Sequence, residues 1–313
     1  MYDIIGDIHG YSKSLKLLLD KLNYRKINGY YAHTGRKAIF VGDFIDRGPY
    51  VFETLEIVKS MVENGSALAI MGNHEYNAIC FHTKSIDGKN WLRTRSQKNI
   101  NQHVATLEAF NDFPKIWNDY INWFSSLPIY IDLNDFRVVH ACWDEKEIRF
   151  LKDRLSDGIM DKEFLHHSAR PGSKEFKAIE SCLKGQEIFL PLGLNYIDVD
   201  GVKRNKVRVK WWKPINSETY RSIALHHSMN VPEIKVPLKY LQRLFYYPPD
   251  EVPVFIGHYW NSGNPSILSP NVCCVDYSIA KDEKLVAYKW NNEKQLDNAN
   301  FVFQECIEKD DIY

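Results

Sequence analysis

Gly6-Asp7-Ile8-His9-Gly10, Gly42-Asp43-Phe44-Ile45-Asp46-Arg47-Gly48 and Gly72-Asn73-His74-Glu75 decide how this chain reads. Each block sets metal-ligand side chains among glycines, and each follows an apolar run that reads as a β-strand. The runs are Tyr2-Asp3-Ile4-Ile5, Ala38-Ile39-Phe40-Val41 and Ser66 to Met71. Helical patterns follow the first two blocks. Leu15, Leu18, Leu19 and Leu22 recur at helix spacing behind Ser12 as N-cap, and Val51, Leu55, Val58 and Val62 share one face. Strand, motif and helix thus repeat at about the 30-residue length of a βαβ unit. The fold class is α/β, with the blocks at the carboxyl ends of strands, where ligands of such sheets gather.

The residue types set the chemistry. Residues two apart at a strand end point the same way, so Asp7 and His9 can face one cation. Asp43 has two oxygens and can bridge to a second. Asn73 offers that second ion a neutral carbonyl oxygen, and His140 and His258, each ending an apolar strand, complete its ligands. Mixed nitrogen and oxygen donors suit Mn, Fe or Zn better than Ca, and Mn is the first expectation. Two cations about 3.5–4 Å apart can hold a hydroxide between them and bind two phosphoryl oxygens, which is the arrangement for direct attack of water on phosphorus. The leaving oxygen then needs a proton. His74, next to Asn73, is the expected general acid, and Asp46 is placed to orient it. Arg47 offers a planar fork to phosphate oxygens, and Asn73 counts among the phosphate contacts as well as the metal ligands. Glu75 reads as a helix-capping or supporting residue.

The rest of the chain surrounds this core. Residues 76–126 form an insertion expected to be helical, anchored by Trp91, Phe110, Trp117, Trp123 and Phe124. A hairpin follows across 128–141, turning at Asn134-Asp135. A second insertion, about 145–250, is expected to be mostly helical, with a strand near Lys206 to Trp212. The core resumes at Val252–Ile256 and closes with strands near 271–276 and 284–290. The whole, 1–313, is read as one domain. His166-His167 and His226-His227 look like metal pairs, but neighbouring residues seldom share one coordination geometry, so they read as ordinary histidines. Trp211-Trp212 reads as packing within the insertion, and Asp276 as structural.

Bulk properties narrow the class further. Of 313 residues, 44% are hydrophobic and 26% charged, as in ordinary globular proteins. A formal net charge of +0 gives no global pull toward nucleic acid or anionic lipid, so neither is an expected partner. The six cysteines show no metal or disulfide spacing, and the chain opens on a strand rather than a leader. No apolar run approaches the roughly 20 residues that span a bilayer. A cytoplasmic location is expected.

In this order the three blocks resemble the signature of the calcineurin-like metallophosphoesterases. Arg47-Gly48 makes the second block similar to that of the phosphoprotein phosphatase branch and its bacterial relatives, which include symmetrical diadenosine tetraphosphatases. The resemblance implies a central β-sandwich flanked by helices. It also implies one metal on Asp7, His9 and Asp43, the other on Asp43, Asn73, His140 and His258, and His74, Asp46 and Arg47 at the phosphate. His140 is followed by Ala141-Cys142, where the eukaryotic phosphatases carry two glycines. Their second phosphate-binding arginine has no matching context here; Arg208, before Trp211-Trp212, is the nearest candidate. A bacterial-type enzyme is therefore expected. Its substrate is a phosphorylated protein or small phosphate ester, hydrolysed as a phosphomonoester by the metal-bridging hydroxide. The alternative is a dinucleoside polyphosphate or a nucleic-acid end, with the aromatic-rich helices stacking a base. A degenerate, non-catalytic scaffold is disfavoured because every ligand and His74 are present.

Overall fold

Successive side chains of a strand leave on opposite faces, and here the two faces meet different cores. In the computed structural model the described residues are 1–197, 203–215, 218–225 and 231–308; His226 and His227 lie outside them. The strands are β1 (Tyr2–Ile5), a small hairpin of β2 (Arg25–Ile27) and β3 (Tyr30–Ala32), β4 (Lys37–Phe40), β5 (Ala67–Ala69), β6 (Tyr130–Asp132) and β7 (Arg137–Val139). In the second insertion come β8 (Glu187–Phe189), β9 (Tyr196–Ile197), β10 (Lys203–Arg204) and β11 (Lys206–Arg208). The core closes with β12 (Val254–Ile256), β13 (Val272–Cys274), β14 (Asp276–Tyr277), β15 (Lys284–Trp290) and β16 (Phe301–Glu305).

One sheet runs β14-β15-β1-β4-β5, with β16 also pairing β15; β1, β4 and β5 are mutually parallel. The other runs β13-β12-β7-β6, with β12 parallel to both β13 and β7. Ile4, Ile39 and Ile70 from the first sheet bury against Val138, Phe255 and Cys273 from the second. Their chain neighbours Ile5, Phe40, Val139 and Cys274 turn outward into the larger core under the helices. The result is a sandwich flanked by helices, in which the parallel strands of both sheets end at one rim.

The helices that matter for that rim are α1 (Ser12–Lys21), α2 (Val51–Glu63), α3 (Asn73–His82), α4 (Gln97–Ala109) and α5 (Pro114–Ser125). Ser12 is the first helical residue rather than the N-cap; Tyr11 holds that position, and the Ser12 hydroxyl donates to Glu53 instead. The first insertion is helical in α4 and α5, with Phe110, Trp117 and Phe124 buried. The second is helical through α6 (Glu145–Arg154), α7 (Lys162–Ser168) and α8 (Lys174–Lys184). From Glu187 it departs from the helical expectation. There β8 pairs β11 and β9 pairs β10, over a separate core of Ile188, Val207, Val209, Tyr220 and Ile223. Trp211 is fully buried and its indole N–H donates to the Tyr259 hydroxyl at 3.0 Å. All six cysteines are buried, and none forms a disulfide. Among the described residues no helix is long and apolar enough to cross a membrane.

Candidate active site

The chain turns sharply where each strand ends, and most of the turning residues are not glycine. His9, Asp43, Asp46, Arg47 and His258 have φ of 48°, 54°, 69°, 69° and 68°. Residues other than glycine seldom hold such angles, and where they cluster they mark functional sites. Glycine supplies room instead. A Cβ on Gly72 would sit 2.2 Å from Asp43 Oδ1, and one on Gly257 2.1 Å from Asp7 Oδ1. Both positions must therefore be bare for the carboxylates to lie where they do.

Asp43 is the hub. Its Oδ2 lies 3.4 Å from His140 Nε2, 3.7 Å from His9 Nε2 and 4.0 Å from His74 Nε2. Its Oδ1 accepts the backbone N–H of His74 at 2.9 Å, at the N-terminus of α3, where a negative charge is favoured. Ligand atoms of His9, Asp43 and His74 fall within 4.8 Å of one another, and so do those of Asp43, His140 and His258. Asp7 stands outside both tight groups. Its Oδ2 accepts the His258 backbone N–H at 3.0 Å, and its Oδ1 is buried without a partner.

The hydrogen bonds of the imidazoles show which of their nitrogens are engaged. The Nδ1–H of His9 donates to the Ile45 carbonyl at 2.9 Å, and that of His140 to the Val41 carbonyl at 2.7 Å. A carbonyl can only accept, so in the neutral form of each ring Nε2 carries the free lone pair. His9 Nε2 is buried and unpartnered; His140 Nε2 faces two further acceptors, Asn73 Oδ1 at 3.1 Å and Asp43 Oδ2. Both ring nitrogens of His258 are buried without partners. Burial, then the charge of His74, pushes His9 down to about 3; burial and the nearby Arg208 hold His258 well below its usual value. Both rings are therefore neutral ligands. Burial first, then Asp276 and Asp43, drives Asp7 well above the carboxylate range. Crowded carboxylates and orphaned lone pairs in one buried spot fit divalent cations. The two groups, sharing Asp43, form a donor set consistent with a dinuclear metal site.

His74 sits beside it. Its Nδ1–H donates to Asp46 Oδ2 at 2.5 Å, which turns Nε2 toward Asp43. Burial pulls the His74 pKa down, but Asp43 and Asp46 outweigh it and leave the ring above its usual value. Asp46 has two further partners that the three blocks do not contain. His103 Nδ1 donates to its Oδ1 at 2.7 Å, and the Thr106 hydroxyl to the same oxygen at 2.6 Å. Burial pushes Asp46 up, yet its bonds to His103 and His74 keep it well below the carboxylate range. Glu75 also serves the blocks: its carboxylate accepts the backbone N–H groups of Gly72, Asp43 and Phe44 at 3.0, 2.8 and 2.8 Å.

A cleft of about 840 Å³ opens from His74, Asn73 and His258. Arg47 lines it, with its guanidinium carbon 4.2 Å over the Trp260 ring. Lys281 Nζ lies 4.0 Å from the same ring. Asp276 holds this corner, accepting the backbone N–H groups of Trp260 at 2.6 Å and Ser278 at 3.0 Å. Arg93 and Lys98 line the cleft from the first insertion, Lys206 and Arg208 from the second. Arg208 thus shares the cleft with Arg47, 3.8 Å from Glu187. Among the described residues no Phe, Trp or Tyr of 82–126 lines the cleft, and Phe110, Trp117 and Phe124 are spent on the core. Among the described residues, Phe81, Tyr196 and Trp260 are the large aromatics at the cleft. Sequence reasoning missed His103, Thr106 and Trp260. The only available signals were a polar pair at i,i+3 on one helix face and an aromatic ring two residues past His258.

Comparison with known proteins agrees with the geometry. The model of the calcineurin-like phosphoesterases matches residues 2–259. The asymmetrical bis(5'-nucleosyl)-tetraphosphatase PrpE of Geobacillus sp. (strain WCH70) is 36% identical over 146 residues, which is 44% of this chain. PrpE of Halalkalibacterium halodurans is 46% identical over 74 residues, 23% of this chain. The matches take in 55% and 30% of those relatives' own lengths. Among solved structures, a protein serine/threonine phosphatase from Saccharomyces cerevisiae is similar at a TM-score of 0.47 and 14% identity, over 97% of this chain and 78% of its own. A cold-active protein-tyrosine phosphatase of Shewanella sp. follows at 0.46 and 18%, over 93% and 75%. With its sandwich, its converging ligands and a family match across most of its length, this chain belongs to the calcineurin-like phosphoesterases.

Proposed function

We propose that the chain hydrolyses the phosphate bridge of a dinucleoside polyphosphate. The observation that carries this reading is the charge of the cleft. Arg47, Arg93, Lys98, Lys206, Arg208 and Lys281 all line it, more cations than one phosphomonoester can match. A polyphosphate bridge brings a negative charge on every phosphate, and its two nucleosides fill volume that a phosphate ester leaves open. The partial relatedness to the PrpE tetraphosphatases supports the same substrate class. It shifts weight from phosphomonoesters, the first expectation, to the alternative.

In this mechanism Asp7, His9 and Asp43 would hold one cation, and Asp43, Asn73, His140 and His258 the other. The donor set favours Mn, with Fe or Zn able to replace it. When bound, such a pair makes water acidic and draws charge from phosphoryl oxygens. Arg47 grips the attacked phosphate through its planar fork, Arg208 a second point along the bridge, and the Asn73 amide N–H a phosphoryl oxygen. The water oxygen, having given one proton to solvent, bonds to phosphorus as the bridging P–O bond breaks. His74 Nε2 gives its proton to the departing oxygen, while its Nδ1–H stays with Asp46. The test is a panel of diadenosine tetraphosphate, a phosphoserine peptide and bis(p-nitrophenyl) phosphate with Mn, read by ion-exchange chromatography. Diadenosine tetraphosphate is expected to have the highest kcat/KM and to yield ATP and AMP. Turnover of the peptide with the dinucleotide untouched would return the enzyme to phosphomonoesters.

A further inference from the structure

We propose that His103, together with Thr106, is a positioning residue for the proton donor: acting through Asp46, it fixes the orientation and Nδ1–H of His74. The inference rests on the reading of His74 as the acid.

Asp46 is held at both oxygens. Oδ2 takes the His74 Nδ1–H; Oδ1 takes the His103 Nδ1–H at 2.7 Å and the Thr106 hydroxyl at 2.6 Å. The Asp46 backbone N–H closes the loop onto Thr106 Oγ1 at 2.9 Å. With partners on each oxygen the carboxylate cannot rotate about its bond, so the direction it offers His74 is fixed. His103 and Thr106 lie three apart on α4 and so face one way. An aromatic wall fixes the His103 ring in turn. Phe81, His82 and Trp117 lie 5.4, 5.8 and 5.7 Å from it, centroid to centroid, and the Trp117 indole N–H donates to His82 Nε2 at 3.1 Å.

The other nitrogen of His103 decides between this role and mere packing. His103 is 5% exposed, and its Nε2 is buried with no partner among the described residues. A histidine kept for packing would be better replaced by an apolar ring, since an unpaired buried nitrogen is unfavourable. The one hydrogen bond that compensates for it is the bond to Asp46. Small displacements of a reacting group, about 1 Å, can lower a rate about 100-fold, so a fixed Asp46 has a direct value at Nε2 of His74.

Three variants of the full chain test this. His103→Asn keeps an N–H near the place of Nδ1; His103→Leu and Thr106→Val remove a donor. In proton spectra of the ¹⁵N-histidine-labelled, metal-free protein, the short His74–Asp46 bond should give a far-downfield Nδ1–H resonance. It should persist in His103→Asn and exchange away in His103→Leu. With diadenosine tetraphosphate and Mn, His103→Leu should lower kcat about 10- to 100-fold at constant KM. His103→Asn should restore most of it. The loss should vanish in a His74→Asn background. An unchanged His74 resonance in His103→Leu, or a loss that adds in full to that of His74→Asn, overturns the proposal. Should His103→Leu not fold, Thr106→Val carries both measurements with the same expectations. If His74→Asn itself keeps the wild-type rate, the acid reading fails, and the resonance alone still decides whether His103 positions His74.

Discussion

Arg47 rests on the face of Trp260 rather than on a carboxylate. The difference matters for a residue proposed to grip phosphate. An acidic partner would hold the guanidinium firmly but occupy its N–H groups and offset its charge. An aromatic face attracts the cation and leaves the fork's edge open. Such a contact from an exposed arginine is worth about 0.5–1 kcal/mol, so Trp260→Leu should raise KM about two- to fivefold with kcat little changed. Trp260→Phe, which keeps a ring, should fall between. Steady-state kinetics on diadenosine tetraphosphate checks this; a drop in kcat at constant KM would mean instead that the ring supports His258. This residue shows where sequence reading ends. Asp7, His9, Asp43, Asn73 and His74 were legible because ligand types and glycines are adjacent in the chain. Trp260 meets Arg47 from more than 200 positions away, and nothing local to either residue encodes the meeting. The same holds for His103, a single histidine on a helix of the insertion.

At the level of elements, α3 is the joint between the second and third blocks. Glu75, one turn into the helix, reaches back to the Gly72 N–H in the manner of a capping box. It also takes the N–H groups of Asp43 and Phe44. One buried carboxylate thus ties the helix start to the turn that carries the hub ligand. A buried donor left unpaired costs about 1–3 kcal/mol, and an amide has a single oxygen to offer where the carboxylate has two. Glu75→Gln should therefore lower the melting temperature by several degrees, at about 2–4 °C per kcal/mol for a chain this large. It should also weaken metal binding about tenfold. Scanning calorimetry and metal titration measure both; a variant that melts and binds like wild type would show that Glu75 is dispensable to the hub. Strands β1, β4, β5, β7, β12 and β15 lie within a residue or two of the places their apolar runs mark, because each contributes to two cores and its pattern is continuous. The second insertion was harder to read. Beyond Glu187 its strands are two or three residues long, too short for a period of two to show against a helical one. Strand β16 went unseen for a related reason: Phe301-Val302-Phe303 is stabilised by pairing with β15, not by any alternation of its own.

Across the whole molecule, a formal net charge of +0 conceals a sharp separation. Cations line the cleft, with Asp43 at its edge, while Asp7, Asp43 and Asp276 are all buried near the converging strand ends. Burying carboxylates together is unfavourable unless positive charge is supplied. The folded chain supplies it only in part: Asp43 is held well below the carboxylate range against its burial, with His140 and His74 the main opposing influences, whereas Asp7 and Asp276 are pushed up. Divalent cations would remove the conflict, and they can do so only in the folded state, because the ligands come from five separate segments. Binding of that kind stabilises by about 2.7 kcal/mol when free metal is 100 times its dissociation constant. Adding Mn to chelator-treated protein should therefore raise the melting temperature by several degrees, and a chelator should reverse it. Asp43→Asn should abolish most of the response, since the hub then loses charge toward both cations. His74→Asn should keep it if His74 acts as the proposed proton donor; loss of the response would place His74 among the ligands, with His9 and Asp43. A melting temperature indifferent to Mn in the wild type would contradict the metal site at its root, whatever the activity measurements gave.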